Sequence, residues 1–403
     1  MMAKKRVLML STLEIQPLVP VRGTPVVAYT VQAYLEHGWE IHFLISFKPK
    51  PDAGIAKRLK ISWFSIPLLS KLNNLPKIGF FTRIIWWIIT QVMFFVKGVR
   101  ILKNCKIDLI YSWDVNAASG AKILAKMFRK PWIARCLGTS LQTHKLDKLF
   151  YRVRNWNQIF AYKLFSDFII MTNDGTQGNK VLQKLGVEMS KVLFWMNGVD
   201  WNAFYCLPQS TQAKKSLGIN NRPVLLCVSR LVKWKRVDRS ISALPVVANS
   251  YPNVLLLIVG DGPEREQLEQ LAKDLGVQDN VRFEGAVPHS EIPKYLAAAD
   301  IFLSFYDWSN VGNPLLEAMM AGKCIITLNN GDTGKFVKNW ENGVLLDYKD
   351  LPKLPEVIKR LLIDEKLREG LGAKARKFAE KNFWSWEERL DAEIKEVKKL
   401  LRQ

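Results

Sequence analysis

The chain alternates short apolar runs with longer amphipathic stretches almost from end to end, and this alternation restricts its fold more than any other feature. Residues 7–11, 41–46, 61–66, 108–112, 132–136 and 168–171 read as strands, separated by helical spacing over 25–37, 80–103, 116–128 and 147–165. The pattern repeats from residue 192 to about 362, with strands at 224–228 and 254–259, and helices over 365–381 and 386–401 follow. Runs that are apolar throughout must be covered on both faces, and strands separated by helices cannot close as hairpins. A parallel sheet with helices on both sides meets both demands, so the expected fold class is α/β with two such sheets. Ligands of such sheets bind beyond the carboxyl ends of the strands.

Two loops at expected strand ends carry the chemistry. Ser309, Asn310, Val311, Gly312, Asn313, Pro314 and Leu315 lead into a helix that contains Glu317. Asn313 suits a cap and Pro314 the first helical position, so the amides from Val311 to Leu315 are expected to lack intrahelical acceptors and to face an anion with the positive end of the helix dipole. One turn in, the Glu317 carboxylate has the geometry to accept from a pair of sugar hydroxyls. An ordinary helix start with a solvated glutamate is the reading this segment leaves open by itself. The second loop is Ser229-Arg230-Leu231-Val232-Lys233-Trp234-Lys235, where Arg230 offers a planar fork and Lys235 a point charge. The strand at 254–259 is closed by Gly260-Asp261-Gly262-Pro263.

In order and spacing, Arg230 with Lys235, the Gly260-to-Pro263 turn, Val281-Arg282-Phe283-Glu284-Gly285-Ala286-Val287 and the Pro314-to-Gly322 helix start resemble the family 4 retaining glycosyltransferases of the GT-B fold. Asn197-Gly198-Val199-Asp200 with Phe204 is similar to that family's entry to its second domain, and Phe383-Trp384-Ser385-Trp386-Glu387 to its closing helix. The resemblance is specific over roughly residues 195–390 and architectural before that. It implies two Rossmann-like domains, an acceptor domain over 1–195 and a nucleotide-sugar domain over 196–375, with 376–403 returning as a helix toward the first. It further implies that Arg230 and Lys235 neutralise a departing diphosphate, that Glu317 holds the ribose, and that the loop from Ser309 to Leu315 shares the donor. Val287 would contact the base through its backbone, and Gly23 would bring a small backbone near the phosphate. The implied reaction moves a hexose from a UDP- or GDP-sugar to a lipid-linked or polysaccharide acceptor with retention, and needs no metal or other cofactor. Consistently, no Asp begins a DxD triplet.

Two positions depart from the family pattern. Ser309 stands where relatives usually carry a glutamate that touches the donor sugar, and Leu137 where they often carry a histidine. Asp307, Asn310 or Asn313 are candidates to stand in for the first, and Arg135 or His144 for the second. The departures keep a second reading in play, a GT-B-shaped protein that binds nucleotide or membrane without turnover. A nicotinamide oxidoreductase is the rival suggested by Gly260-Asp261-Gly262, but the third glycine of that fingerprint falls on Arg265.

Charge is uneven. The net is +22, and residues 1–200 hold 29 Lys and Arg against 11 Asp and Glu, or +18 of it. That points to an anionic partner, and with no nucleic-acid-binding motif beside the charge, an anionic membrane surface or acidic acceptor is expected rather than nucleic acid. Residues 84–96 are uncharged and include paired Trp and Phe, with Arg83, Lys97, Arg100, Lys103 and Lys106 around them. Thirteen uncharged residues are short of a span, so the expectation is a helix lying partly in an interface with one face in the core. The five scattered cysteines indicate neither a disulfide framework nor a zinc site, and the apolar run near Met1 reads as the first strand rather than a leader. A cytoplasmic protein peripheral on the inner face of the cell membrane is the expected location.

Overall fold

In the computed structural model, which describes residues 4–13, 25–48, 55–66, 79–164 and 166–402, the chain forms two compact units. One comprises residues 1–173, 177–196 and 387–403, the other residues 174–176 and 197–386. The expected boundary at 376 falls inside a continuous helix, Glu365–Asn382, and it is the following helix, Trp386–Leu400, that belongs to the first unit from Glu387 onward.

Among the described residues the first unit holds β1 (Arg6–Ser11), β2 (Glu40–Ile45), β3 (Lys60–Trp63), β4 (Leu109–Ser112), β5 (Trp132–Cys136), β6 (Phe168–Thr172) and β7 (Val192–Trp195). They pair in parallel in the order β3-β2-β1-β4-β5-β6-β7. Val7 to Leu10 and Leu109 to Tyr111 are fully buried, which is why these runs are apolar without alternation. The alternation by itself starts the second half at residue 192, but β7 pairs with β6 and completes the first sheet. The helix expected over 147–165 is two pieces, Leu149–Arg154 and Trp156–Lys163, because Asn155 leaves helical geometry and its side-chain amide donates to the Tyr151 carbonyl.

The 26-residue helix Gly79–Asn104 has two distinct faces. Thr90, Gln91 and Phe94 are buried; the Gln91 amide donates to the Asn116 carbonyl at 2.7 Å while its oxygen accepts from the Gly120 amide at 2.9 Å. On the other face Phe81, Ile85, Ile88, Ile89, Val92 and Val96 are exposed at helical spacing. By length and composition, Phe81–Asn104 suffices to cross a membrane, which corrects the shorter estimate from the uncharged run alone; here its polar face is built into the unit's core. Trp87 packs edge-on against Trp156 and Phe160, so the helix 156–163, with exposed Phe160, adjoins this one, and the helix 149–154 before it exposes Leu149, Phe150 and Val153.

The second unit holds β8 (Val224–Val228), β9 (Leu255–Val259), β10 (Val281–Gly285), β11 (Ile301–Ser304), β12 (Cys324–Leu328) and β13 (Val344–Leu346), parallel in the order β10-β9-β8-β11-β12-β13. Leu225, Ile258, Ile301 and Ile326 pack under the helices Asp238–Ser250 and Leu354–Ile363 through Ile241, Leu244, Ile358 and Leu361. Strand order reverses between β8 and β11, which opens a crevice beyond their carboxyl ends. The loops leaving those two ends are the two that the sequence marked.

Candidate active site

The loop after β8 is fixed by close backbone contact. Leu231 donates its amide to the Asp261 carbonyl and Ser229 to Val259, while Leu231 accepts from the Glu264 amide. A Cβ on Gly260, which has φ +141°, would lie 1.8 Å from the Ser229 oxygen, and one on Gly262 would lie 2.3 Å from the Leu231 oxygen. These glycines are therefore needed for loop-to-loop packing. They hold the Arg230 loop and do not form a dinucleotide cradle, which removes the physical basis of the oxidoreductase rival.

Loop and neighbour then place the cations. Asp307 donates its amide to the Trp234 carbonyl, Trp308 stacks on Trp234 at 5.0 Å, and the Lys235 Nζ lies 3.5 Å from the Tyr306 ring centroid and 4.1 Å from that of Trp234. Lys235 is half-buried with no carboxylate bonded to it among the described residues. Burial, and then the charge of Arg230, push its pKa down to about 7, against a smaller upward pull from Asp174. Arg230 itself is exposed and has no ion-pair partner among the described residues. Two cations brought together, with one acid near Lys235 and no direct ion pair to either among the described residues, form a site that favours an anion.

The loop after β11 differs in detail from the expectation. Asn310 is fully buried and structural: its Oδ1 accepts from Ser304 Oγ and the Tyr306 amide, and its Nδ2 donates to Asn330 Oδ1. Ser309 Oγ donates to the Asp174 carbonyl and accepts from the Val311 amide. The Gly312 and Leu315 amides are likewise satisfied, by the Asn310 and Gly312 carbonyls. The cap is Gly312 rather than Asn313, and Asn313 Oδ1 instead accepts from Asn197 Nδ2 at 2.9 Å. Of the amides expected to face an anion, only that of Asn313 has no partner among the described residues; Pro314 has none to offer. A Cβ on Gly312 would meet nothing nearer than Pro314 Cδ at 3.8 Å, so its bareness opens toward free space rather than packing.

Glu317 is buried in the Asn313–Met320 helix and its Oε1 accepts from His289 Nε2 at 2.8 Å. Burial depresses the His289 pKa, but the hydrogen bond and charge of Glu317 outweigh it, and the net shift is upward. Phe204 packs edge-on against that imidazole. Glu317 is also close enough to act electrostatically on Tyr306, which ties the helix to the cation loop. His289 was not among the residues singled out; the signal was its position two residues after Val287, which is half-buried in the loop after β10 with no backbone hydrogen bond among the described residues. Gly23 lies outside the described residues. Arg135, offered in place of a sugar-contacting histidine, is 1% exposed and paired to Glu393, so it does not serve that role; His144 is exposed on a short turn. The structure thus gathers Arg230, Lys235, Glu317, Gly312 and Asn313 in the second unit and turns Ser309 and Asn310 inward.

Residues 209–378 match the family described as glycosyl transferases group 1. This stretch is a glycosyl transferases group 1 domain. The group 1 domain also aligns with the GDP-mannose-dependent alpha-(1-6)-phosphatidylinositol monomannoside mannosyltransferase of Mycobacterium tuberculosis, 32% identical over 198 residues that cover 47% of this chain and 51% of that protein. The chain thus spans about half the length of the curated relatives it matches first. Two solved structures resemble nearly the whole chain. HepE of Anabaena, in complex with UDP-glucose, is 19% identical with a TM-score of 0.72 over 98% of this chain and 99% of that one. Sucrose-phosphate synthase from Thermosynechococcus elongatus is 18% identical with a TM-score of 0.74 over 98% and 99%. These likenesses concern the fold, and it is GT-B: two Rossmann-like parallel sheets.

Proposed function

We propose that this protein is a glycosyltransferase that moves a hexose from a nucleoside diphosphate sugar to a lipid-linked or polysaccharide acceptor with retention of configuration. The observation that carries this reading is a pair of cations with no carboxylate in ion-pair contact among the described residues, Arg230 and Lys235, held at the strand-order reversal beside the helix of Glu317. Breaking the bond between sugar and pyrophosphate develops negative charge on the departing phosphate and positive charge on the sugar. Fixed cations aimed at the phosphate lower that barrier without a metal ion. Glu317, oriented by His289, has one carboxylate oxygen left for the ribose, and Val287 the free backbone groups for a base. The names of the relatives, a GDP-mannose enzyme and a UDP-glucose complex, support a UDP- or GDP-linked donor. The test is a radiolabelled panel of UDP-, GDP-, ADP- and TDP-sugars incubated with membrane extract. Transfer or trace hydrolysis of one of them is the expected result; none consumed, with nucleotide still bound, would favour the partner without turnover.

The acceptor side of the proposal is an anionic membrane, with the protein peripheral on the cytoplasmic face. The exposed apolar face of the helix Gly79–Asn104 is joined through Trp87 to the helix of exposed Phe160, Leu149 and Phe150 are exposed on the short helix before it, and the same segments carry Lys97, Arg100, Lys103, Lys145, Lys148 and Arg152. Asp147, the acid of the second patch, is paired to Lys184 at 2.5 Å. Apolar side chains that enter the interface and cations that meet headgroups together suit such a surface. Vesicles containing phosphatidylglycerol are expected to float the protein at low salt. At roughly 1 kcal/mol per cation, reversing Arg83, Lys97 and Arg100 to Glu is expected to weaken binding by at least about a hundredfold. Flotation indifferent to salt and to these reversals would count against the membrane reading.

A further inference from the structure

Asp174 has entered the site so far only through its pull on Lys235 and its carbonyl on Ser309. After β6 the chain runs through Asp174-Gly175-Thr176, and these three residues belong by their contacts to the second unit. The segment is seated firmly there. Ser309 Oγ donates to the Asp174 carbonyl at 2.9 Å, and the Asp332 amide donates to the Gly175 carbonyl at 2.9 Å. A Cβ on Gly175, with φ +75°, would lie 2.1 Å from Ser309 Oγ, and one on Gly331 would lie 2.2 Å from the Gly175 oxygen. No side chain larger than hydrogen fits at either place, so the position of the Asp174 backbone on the loops after β11 and β12 is set by close packing.

The carboxylate carried by this segment is bonded locally. Oδ1 accepts from the Thr176 amide at 3.1 Å and from Thr176 Oγ1 at 2.5 Å, the backbone amide of Asp174 itself also acts on the carboxylate, and Oδ2 has no hydrogen bond to another described residue. Asp174 is half-buried, and burial pushes its carboxyl up to about 6 against the downward pulls of Thr176 and Lys235. An acid with a spare oxygen is therefore held within electrostatic reach of the cation that the proposed reaction uses on the phosphate. Lys235 offsets part of its charge, but such an acid repels a pyrophosphate, and its remaining oxygen suits a group rich in hydrogen-bond donors. In a nucleoside diphosphate sugar, the group next to the pyrophosphate that answers this description is the hexose.

We propose that Asp174 determines donor-sugar specificity: its carboxylate accepts hydrogen bonds from hydroxyls of the hexosyl group whose pyrophosphate rests on Arg230 and Lys235. This rests on the transferase reading above. It assigns to a segment entering from the end of β6 a sugar contact that Ser309, turned toward the Asp174 carbonyl, does not make.

The test compares binding of UDP, GDP, UDP-glucose and GDP-mannose to the full chain by calorimetry, in wild type, Asp174→Asn and Asp174→Ala. In both variants the free nucleoside diphosphate is expected to bind as tightly as in wild type or slightly tighter, because a repelling charge has gone. The sugar nucleotide is expected to lose roughly tenfold or more in Asp174→Ala, as befits hydrogen bonds to a charged group. Asp174→Asn, which keeps the shape and one acceptor, is expected to lose less and to change the ranking of sugars in the transfer panel. Equal losses for nucleotide and sugar nucleotide, or no change in their ratio, would reduce Asp174 to a structural residue or a counter-ion of Lys235 and overturn the proposal alone. Failure of the wild-type chain to bind any of the four ligands would overturn the transferase reading together with it.

Discussion

Lys235→Ala is expected to lower the turnover of hexosyl transfer by roughly 10²–10³-fold while leaving the fold intact, the range seen when one preorganised electrostatic donor is removed from a transition state. The side chain contributes little to folding. Its ammonium rests on the Tyr306 and Trp234 rings with no carboxylate bonded to it, and its pKa is pushed down to about 7. A lysine whose folded pKa lies below its unfolded value binds fewer protons folded than unfolded between about pH 7 and 10.5, so folding gains stability as pH rises through that window. The substitution removes this burden, and the variant is expected to unfold no earlier than wild type. Ligand binding has the opposite sign. A pyrophosphate favours the charged amine, so nucleoside diphosphate affinity is expected to be greatest below pH 7 and to fall by about tenfold per pH unit above it, until the raised pKa of the complex is reached. Calorimetry of UDP and GDP between pH 6 and 9 checks this, and Lys235→Ala should flatten the profile. A wild-type profile already flat, or near-normal turnover in the variant, would remove Lys235 from the mechanism. Glu317→Ala is expected to abolish transfer as well, through a lost ribose contact and a His289 deprived of its hydrogen-bonded carboxylate.

The parts of this site that were legible in the sequence are those in which local chemistry and long-range placement agree. Arg230 and Lys235 share one loop, Glu317 lies one turn into a helix, and parallel strands deliver both to the same edge of a sheet; apolar runs and loop composition suffice to place them. The amides of residues 311–315 were misjudged for a physical reason. Sequence marks where helix donors lack helical acceptors, but it does not show that Ser309 Oγ and the Asn310 carbonyl would fold back to satisfy them. Asn310 resembled a ligand-facing loop residue and proves to be the peg of the loop, bonded to Ser304, Tyr306 and Asn330. His289 and Asp174 were missed because their partners are far away in the chain, Glu317 and Ser309, and neither pairing leaves a spacing to read. The glycines divide by what their missing side chain faces, backbone at 260 and 262 and open space at 312, a distinction only coordinates supply.

Arg135 shows the same limit most sharply and leads to the largest expected loss of stability, which follows from Glu393→Ala. Glu393 is fully buried; its Oε2 accepts from Arg135 Nη1 at 3.0 Å and Arg389 Nη1 at 3.1 Å, and its Oε1 accepts from the Tyr111 hydroxyl at 2.9 Å. Arg389 also donates from Nε to the Met196 carbonyl and lies 4.6 Å from the Trp195 ring centroid. Two guanidinium groups thus share one carboxylate out of water, and burial, with the charge of Arg135, pushes Arg389 down to about 10 despite it. The cluster ties the helix Trp386–Leu400 to β4 and β5 through residues more than 250 positions apart in the chain, and to the end of β7 through Arg389, within the first unit. Taking the carboxylate away leaves two like charges buried together, and breaking a buried pair in this way costs about 3–5 kcal/mol. Glu393→Gln keeps the shape and loses the charge, so it is expected to recover only the Tyr111 hydrogen bond, about 1 kcal/mol. Replacing Arg135, Arg389 and Glu393 together by apolar side chains of similar volume is expected to come out near neutral or more stable than wild type. Guanidinium chloride unfolding of the full chain, followed by tryptophan fluorescence, measures all three. If Glu393→Ala were as stable as wild type, the cluster would be hydrated rather than dry, and the anchoring of the last helix would have to be credited to Leu390, Ile394 and Val397, the buried apolar residues on the same helix.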